Sequence, residues 1–446
     1  MVLAAIIGVA GCASYDAQPL PQRPNLQVSL ADLDATIPAA AENGTSRRID
    51  TARPLSIDDL GLLAVLNDPD LKSERGEIDV ARAGVVQAAI LPNPTASYSY
   101  GHLIYGPGII SSNAASLAEE IIPIITRGAR VKSAEARLRQ VDADQLWREW
   151  QVAQKARQLA LDIAFADRLV ALTERQRDRI REATTQAGKA VAARNLALAA
   201  FSPLFSALAA AQQSLEALRL QRLQNWQALD ALLGLDPTVR FAIAAPALPA
   251  PPSAIEPLIA SLPERRPDLA ALRLGYDSAE EDVRAAILGQ FPAFSIGGNY
   301  LADTTAIVSA GPSATLALPI FDRNQGVIAK TRATQEVLHA QYQARLDAAV
   351  ATTRGLFDQI SRLSADLGQA RSAARLSELI AANARQAYAQ GNLDQRSLVD
   401  YETTAFERRL QVVSIERQIG EDHILLAVEL GLGFPPARLT LESRTG

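Results

Sequence analysis

The chain holds little of what most protein chemistry uses. Among 446 residues there are one cysteine, Cys12, one methionine, and three histidines, His102, His339 and His423. A single cysteine excludes a disulfide framework, and so few soft or imidazole ligands leave no cluster with metal-binding spacing. Aromatic residues make up only 5% of the chain. No apolar run reaches the roughly 18 residues of a membrane-spanning helix, which excludes a helix bundle in a bilayer. Positive charge is not in excess either. The net charge is −5, so the basic surface that a nucleic-acid partner requires is missing. No Ser/His/Asp arrangement sits in a supporting motif and no glycine loop is shaped for phosphate, so no enzyme and no cofactor are expected.

What is present is 48% hydrophobic residues and 21% charged ones. That is too apolar for disorder, and the length exceeds one ordinary domain. Residues 2–10 are almost wholly apolar and run into Gly11-Cys12-Ala13-Ser14. The run is too short to span a bilayer and ends in small residues, as an export signal does, although no Lys or Arg precedes it. Val9-Ala10-Gly11-Cys12 is similar to a bacterial lipobox, in which the cysteine thiolate forms a thioether to a lipid. Residues 1–11 therefore read as a lipoprotein signal peptide. Residues 12–54, with prolines at 19, 21 and 24, read as a tether lipidated at Cys12. No aspartate follows the cysteine, which points to the outer membrane.

The rest of the chain states one pattern twice. Leu159, Ile163, Ala166 and Val170 recur as Leu356, Ile360, Leu363 and Leu367, each 197 residues later. Leu233-Gly234-Leu235 recurs as Leu430-Gly431-Leu432, and Asn195-Leu196 as Asn392-Leu393, at the same offset. Pro69-Asp70-Leu71 recurs as Pro267-Asp268-Leu269 at 198. A near-constant offset over most of the chain marks a tandem duplication, with repeats at 55–235 and 253–436, a linker at 236–252, and a tail at 437–446.

Each repeat has the same order of elements. A helix of about thirty residues, 57–90 or 253–288, stops at a proline. Two short segments of period two follow. Tyr98 and Tyr100 alternate with serines, Phe294 and Ile296 alternate likewise, and the partner strands are expected around 117–124 and 315–318. Gly106-Pro107-Gly108 and Gly311-Pro312 read as loops between them. Very long helices are expected at 130–192 and 326–390, about 90 Å each, with return helices of about 55 Å at 197–233 and 394–431. Four strands cannot close a barrel, so strands in a membrane require several chains.

This arrangement resembles the TolC-like outer-membrane efflux protein family from about residue 55 onward. Leu262-Pro263-Glu264-Arg265-Arg266-Pro267-Asp268-Leu269 is similar to the family's Arg-Pro-Asp-Leu signature. Leu318-Pro319-Ile320-Phe321-Asp322-Arg323-Asn324 is similar to its strand-to-helix transition. Arg385, Tyr388 and Gly391, followed by Leu398-Val399-Asp400-Tyr401-Glu402, resemble the tip of its second helical hairpin. The resemblance implies a mainly α fold whose duplicated hairpins form an α-barrel. It also implies four strands per chain in a homotrimeric twelve-stranded barrel held in outer-membrane lipid. The implied partners are a periplasmic adaptor and an inner-membrane RND-type transporter, with Arg385, Tyr388, Gly391 and Leu398 as candidate adaptor contacts.

Aligned on Gly391, Asp400 falls where family members carry an aspartate that constricts the periplasmic entrance. A helix dipole also favours an aspartate early in a return helix. The first repeat departs from the pattern, with Arg194 in place of Gly391 and Pro203 in place of Asp400. Ile90-Leu91-Pro92-Asn93-Pro94 and Phe321-Asp322-Arg323-Asn324-Gln325-Gly326 look most like the branch serving heavy-metal pumps. A multidrug or general solute duct is the alternative within the family, and a lipid-anchored periplasmic coiled-coil scaffold the alternative outside it.

Overall fold

A computed structural model describes residues 15–37, 47–247 and 254–432. Cys12, the signal segment and the tail lie outside the described residues. The chain begins with a short 3-10 turn at Leu30–Asp32 and a two-residue pairing of β1 (Thr36–Ile37) with β2 (Arg47–Arg48). The first repeat then builds α1 (Ile57–Asn67), α2 (Pro69–Glu74), α3 (Gly76–Ala89), β3 (Thr95–Gly101), β4 (Ser112–Glu120), α4 (Ile122–Ala192) and α5 (Leu198–Leu233). The second builds α6 (Glu256–Ala260), α7 (Leu262–Arg265), α8 (Pro267–Leu288), β5 (Phe294–Ala302), β6 (Val308–Leu316), α9 (Gln325–Ala389) and α10 (Gln395–Glu429).

The opening helix of each repeat is broken, not continuous. Asp68 caps α2 by accepting from the Leu71 amide at 2.8 Å, with Pro69 at the first helical position. Pro267 takes the first helical position of α8 behind the extended Arg266, without a side-chain cap. Proline cannot donate to the preceding turn and pushes the residue before it out of the helical region, so each Pro-Asp-Leu restarts the chain. The long helices α4 and α9 are 71 and 65 residues, and the return helices α5 and α10 are 36 and 35. At 1.5 Å per residue α4 is about 105 Å long, roughly twice its return helix. The short helices make up the difference. α3 packs on α4, and α8 packs on both α4 and α9.

The segment expected to be a tether is folded where it is described beyond residue 26. Gln27 bridges to Leu235 and Leu55 to Ile243, both parallel. Leu33, Ala35, Ile49 and Leu55 are buried in one core with α1, α4 and the end of α5. Apolar residues at 30, 33, 35, 37 and 49 give this stretch a face to bury, which the prolines at 19, 21 and 24 do not.

The sheet is an antiparallel meander, β3-β4-β5-β6. Two strands sit elsewhere than the alternation suggested. β4 runs from Ser112 to Glu120, and the helix begins at Ile122, inside the segment expected to be strand. β6 runs through Gly311-Pro312, and Leu318 lies beyond it. β6 is an edge strand in this chain, where proline is tolerated.

No helix among the described residues is long and apolar enough to cross a membrane.

Candidate functional site

Residues opposite each other in an antiparallel pair project to the same side, so the register sorts the sheet into two faces. Tyr98 and Tyr300 both oppose Ala115, Leu117 opposes Ala96 and Gly298, and Phe294 opposes Leu316. Following these pairs, one face carries Tyr98, Tyr100, Leu117, Ile296, Tyr300 and Val308, with Pro312 and Ala314. The other carries Ser97, Ser116, Asn299, Ser309, Ser313 and Thr315. The large side chains of the first face are exposed. An apolar face this broad, uncovered by any helix, suits lipid, and a serine-rich opposite face suits a water-filled lumen. Ser97 and Ser116 hydroxyls lie 2.8 Å apart across that polar face. At the helix end of β4, Glu119 lies on the apolar face opposite Ile296, and Glu120 lies on the polar face opposite Ser295.

Where strand meets long helix, the two repeats use equivalent positions for one task. Arg127 Nε donates to the Ala89 carbonyl at 2.6 Å, at the end of α3. Asn324, 197 residues later, donates through Nδ2 to the Ala286 carbonyl at 2.7 Å, near the end of α8. Each satisfies a helix carbonyl that the helix itself leaves open. Asn324 holds φ +60 to do so. Arg323, which the sequence singles out beside it, instead reaches the Pro319 carbonyl at 3.3 Å.

The duplicated glycine and Pro-Asp-Leu motifs meet in space. Gly234 ends α5 at φ +66 against Asn67 and Pro69, and Gly431 follows α10 at φ +70 against Arg265. Beside Gly431 the signature arginine is 2% exposed. Arg266 pairs with Asp268 through two hydrogen bonds of 3.0 and 2.8 Å, bonds the Glu429 carboxylate, and stacks 5.0 Å from the Trp147 ring. Those contacts join α8, α10 and α4 at one point. Trp147 and Glu429 carry no motif of their own, so only the arginine was visible in sequence.

At the hairpin tips Arg194 and Gly391 hold the same left-handed turn, φ +59 and +75. The turns match in hydrogen bonding as well. Asn195 N donates to Ala190 O and Asn392 N to Ala387 O, each at 2.8 Å. Only the second tip has a side-chain cap, Asp394 accepting from Ser397 N at 3.0 Å. Of the candidate residues, Asp400 is exposed on the second turn of α10, Tyr388 is partly exposed, and Leu398 is half-buried. Arg385 lies 3.5 Å from the buried Glu402, which Arg179 of the first hairpin approaches at 4.0 Å. Glu402 shares a helix face with buried Val399, three residues before it; it closes the tip motif but was not among the candidate contacts. The first, alanine-rich tip packs partly on the second: Ala187, Leu204 and Val399 form one cluster, and Gln395 donates to Ala183 O at 2.8 Å.

The two hairpins also meet along α4 and α10. Arg417 bridges Asp162 of α4 at 3.0 Å and Glu421 of its own helix at 2.5 Å. Burial pushes the Glu421 carboxyl up to about 7. Arg417 pulls it down, while a hydrogen bond to Asp162 and the charges of Asp162 and Asp422 raise it further. Because the folded form holds a proton that the unfolded chain, near 4.5, releases, this group favours folding most at low pH. Its contribution falls as pH rises through about 7. Unfolding followed between pH 5 and 8 is expected to show a loss of about 2 kcal/mol that Glu421→Gln removes. A parent and variant with parallel pH profiles would rule this out.

Comparison with known proteins places these features together. A family model described as outer membrane efflux protein matches residues 258–432. The cobalt-zinc-cadmium resistance protein CzcC of Cupriavidus metallidurans is 26% identical over 388 residues, covering 82% of this chain and 87% of that protein. Among solved structures, a membrane protein from Pseudomonas aeruginosa superposes with a TM-score of 0.71 at 19% identity, over 94% of this chain and 99% of the other. CusC superposes at 0.70 and 15% identity, over 92% and 98%. Residues 258–432 thus match the outer membrane efflux protein family, and the chain as a whole has the fold of these solved structures.

Proposed function

We propose that three copies of this chain form the exit duct of a tripartite pump and that its cargo includes divalent heavy-metal cations. The sheet carries this reading. Its apolar face fits the bilayer, and its free edges, β3 and β6, must pair because unpaired backbone in lipid costs several kcal/mol per group. Three four-stranded sheets give a closed twelve-stranded barrel with serines inside, and the paired hairpins continue it as a helical tunnel across the periplasm. Lipidation at Cys12 would hold each copy to the same membrane. The implied partners are an adaptor docking near Arg385, Tyr388, Gly391 and Leu398, and an RND-type transporter.

The metal cargo is supported by the likeness to a cobalt-zinc-cadmium resistance protein. Multidrug export is the second reading, favoured by the Ser/Thr/Asn-rich lumen face, which carries no charge but Glu120 and offers no ligand set to tell a metal from another solute. A susceptibility panel on a deletion strain and its complemented control separates them. Sensitisation to cobalt, zinc or cadmium salts alone supports metal export, whereas sensitisation to unrelated drugs and dyes supports the other.

Exposed Asp400 would stand three times around the axis near the periplasmic entrance, an acidic ring that attracts cations and narrows the duct. Single-channel recordings of Asp400→Ala are expected to show higher conductance and weaker cation preference. Unchanged values of both would remove Asp400 from the gate.

A further inference from the structure

The loop after β3 is unusual for a segment that faces water. Ile104 and Tyr105 are 92% and 97% exposed and touch nothing in their own chain that would cover them. The base of the same loop is fixed. Ile109 N and Ile110 N both donate to Thr304 O, at 2.7 and 3.3 Å, and a Cβ on Gly108 would fall 2.6 Å from Thr304 Cβ. Tyr100 OH donates to Ser111 Oγ at 2.9 Å. The Ile104-Tyr105 end therefore projects from an anchored base.

A second exposed apolar pair stands at the opposite edge of the sheet. Ile307, just before β6, and Val308, its first residue, are 65% and 59% exposed. When identical sheets close by rotation, the β6 edge of one copy meets the β3 edge of the next. β3 and β6 run in opposite directions, being three antiparallel steps apart, so the Gly101 end of β3 lies beside the Val308 end of β6. Both apolar pairs then fall at the same end of the same seam.

We propose that Ile104 and Tyr105 of each copy dock on Ile307 and Val308 of the neighbouring copy, clasping the seam between chains at the outer rim. The occupant of this surface is a second copy of the chain, and the clasp rests on the barrel reading above. It removes Ile104, Tyr105 and Ile307 from water, packing them beside Val308 at the rim of the lipid-facing side, at the point where strand pairing is most prone to fray.

The test is disulfide trapping in outer membranes. Tyr105→Cys combined with Ile307→Cys, oxidised with copper phenanthroline, is expected to give covalent dimers and trimers on a denaturing gel. The yield should exceed that of either single variant by about tenfold, since the docked thiols are held close. Efficient cross-linking of Tyr105→Cys alone would mean that the loops meet on the axis, and overturns the clasp. A trimer on a native gel with no cross-link in the double variant also overturns it, leaving the loop against lipid. A monomer on the native gel before oxidation overturns the barrel reading itself, and the clasp with it.

Discussion

Replacing Arg266 with alanine is expected to cost about 3–5 kcal/mol of folding stability, the loss typical when one partner of a buried ion pair is removed. The guanidinium holds the Asp268 carboxylate bidentately, binds the Glu429 side chain and its main-chain carbonyl, and covers the Trp147 ring. Without it Asp268, which is buried, keeps only Arg345 at 3.6 Å. Lysine is no substitute at a bidentate, stacked site and is expected to recover less than half of the loss. Arg266→Met with Asp268→Leu tests the cause, because an apolar replacement of both partners is often close to neutral. Denaturant unfolding of the purified protein, followed by helical circular dichroism, measures all three. If Arg266→Ala lies within about 1 kcal/mol of the parent, the joint does not depend on this residue.

The second large effect separates the two faces of the sheet using neighbouring residues. Leu117→Arg places a guanidinium on the apolar face of a central strand, where a charge near the bilayer midplane costs about 2–4 kcal/mol. Ser116→Arg points the same group to the polar face. The first variant is expected to abolish assembled protein in the outer membrane. The second is expected to assemble normally and to conduct less, with its cation preference reduced. Membrane yield on native gels, then single-channel recording, distinguishes them. Equal assembly of both variants would contradict the assignment of faces.

Much of this architecture is legible in the sequence because the duplication supplies two copies of each signal. The long helices and their return helices follow from 4-3 spacing repeated at one offset, and α9 spans Gln325–Ala389 against an expected 326–390. The alternation of Tyr98 and Tyr100 with serines gave the β3 face directly. β6 was less legible. Its apolar positions before the final Leu316 are only valine, alanine and proline, and Gly311-Pro312 reads as a turn when no partner strand is known. Gly298 opposite Pro312 accommodates it, and that pairing is a fact of register. The breaks at Asp68 and Arg266 were signalled by the prolines that follow them, but the apolar pattern continues across each break and hides it. The pairings of Arg266 and Glu421 were not legible at all, since composition does not distinguish a buried charge from a solvated one.

One pair of contacts has changed sign between the repeats. Arg219 of α5 bonds Glu174 of α4 at 2.6 Å, and 197 residues later Glu416 of α10 bonds Arg371 of α9 at 2.7 Å. The positions are equivalent and the charges are exchanged. Each chain contains two hairpins built to almost the same plan, and the proposed trimer would contain six, so each return helix must choose its own long helix from among lookalikes. A swapped pairing would set Arg219 against Arg371 and Glu174 against Glu416, like charge on like. The inversion thus discourages the return helix of one repeat from pairing with the long helix of the other.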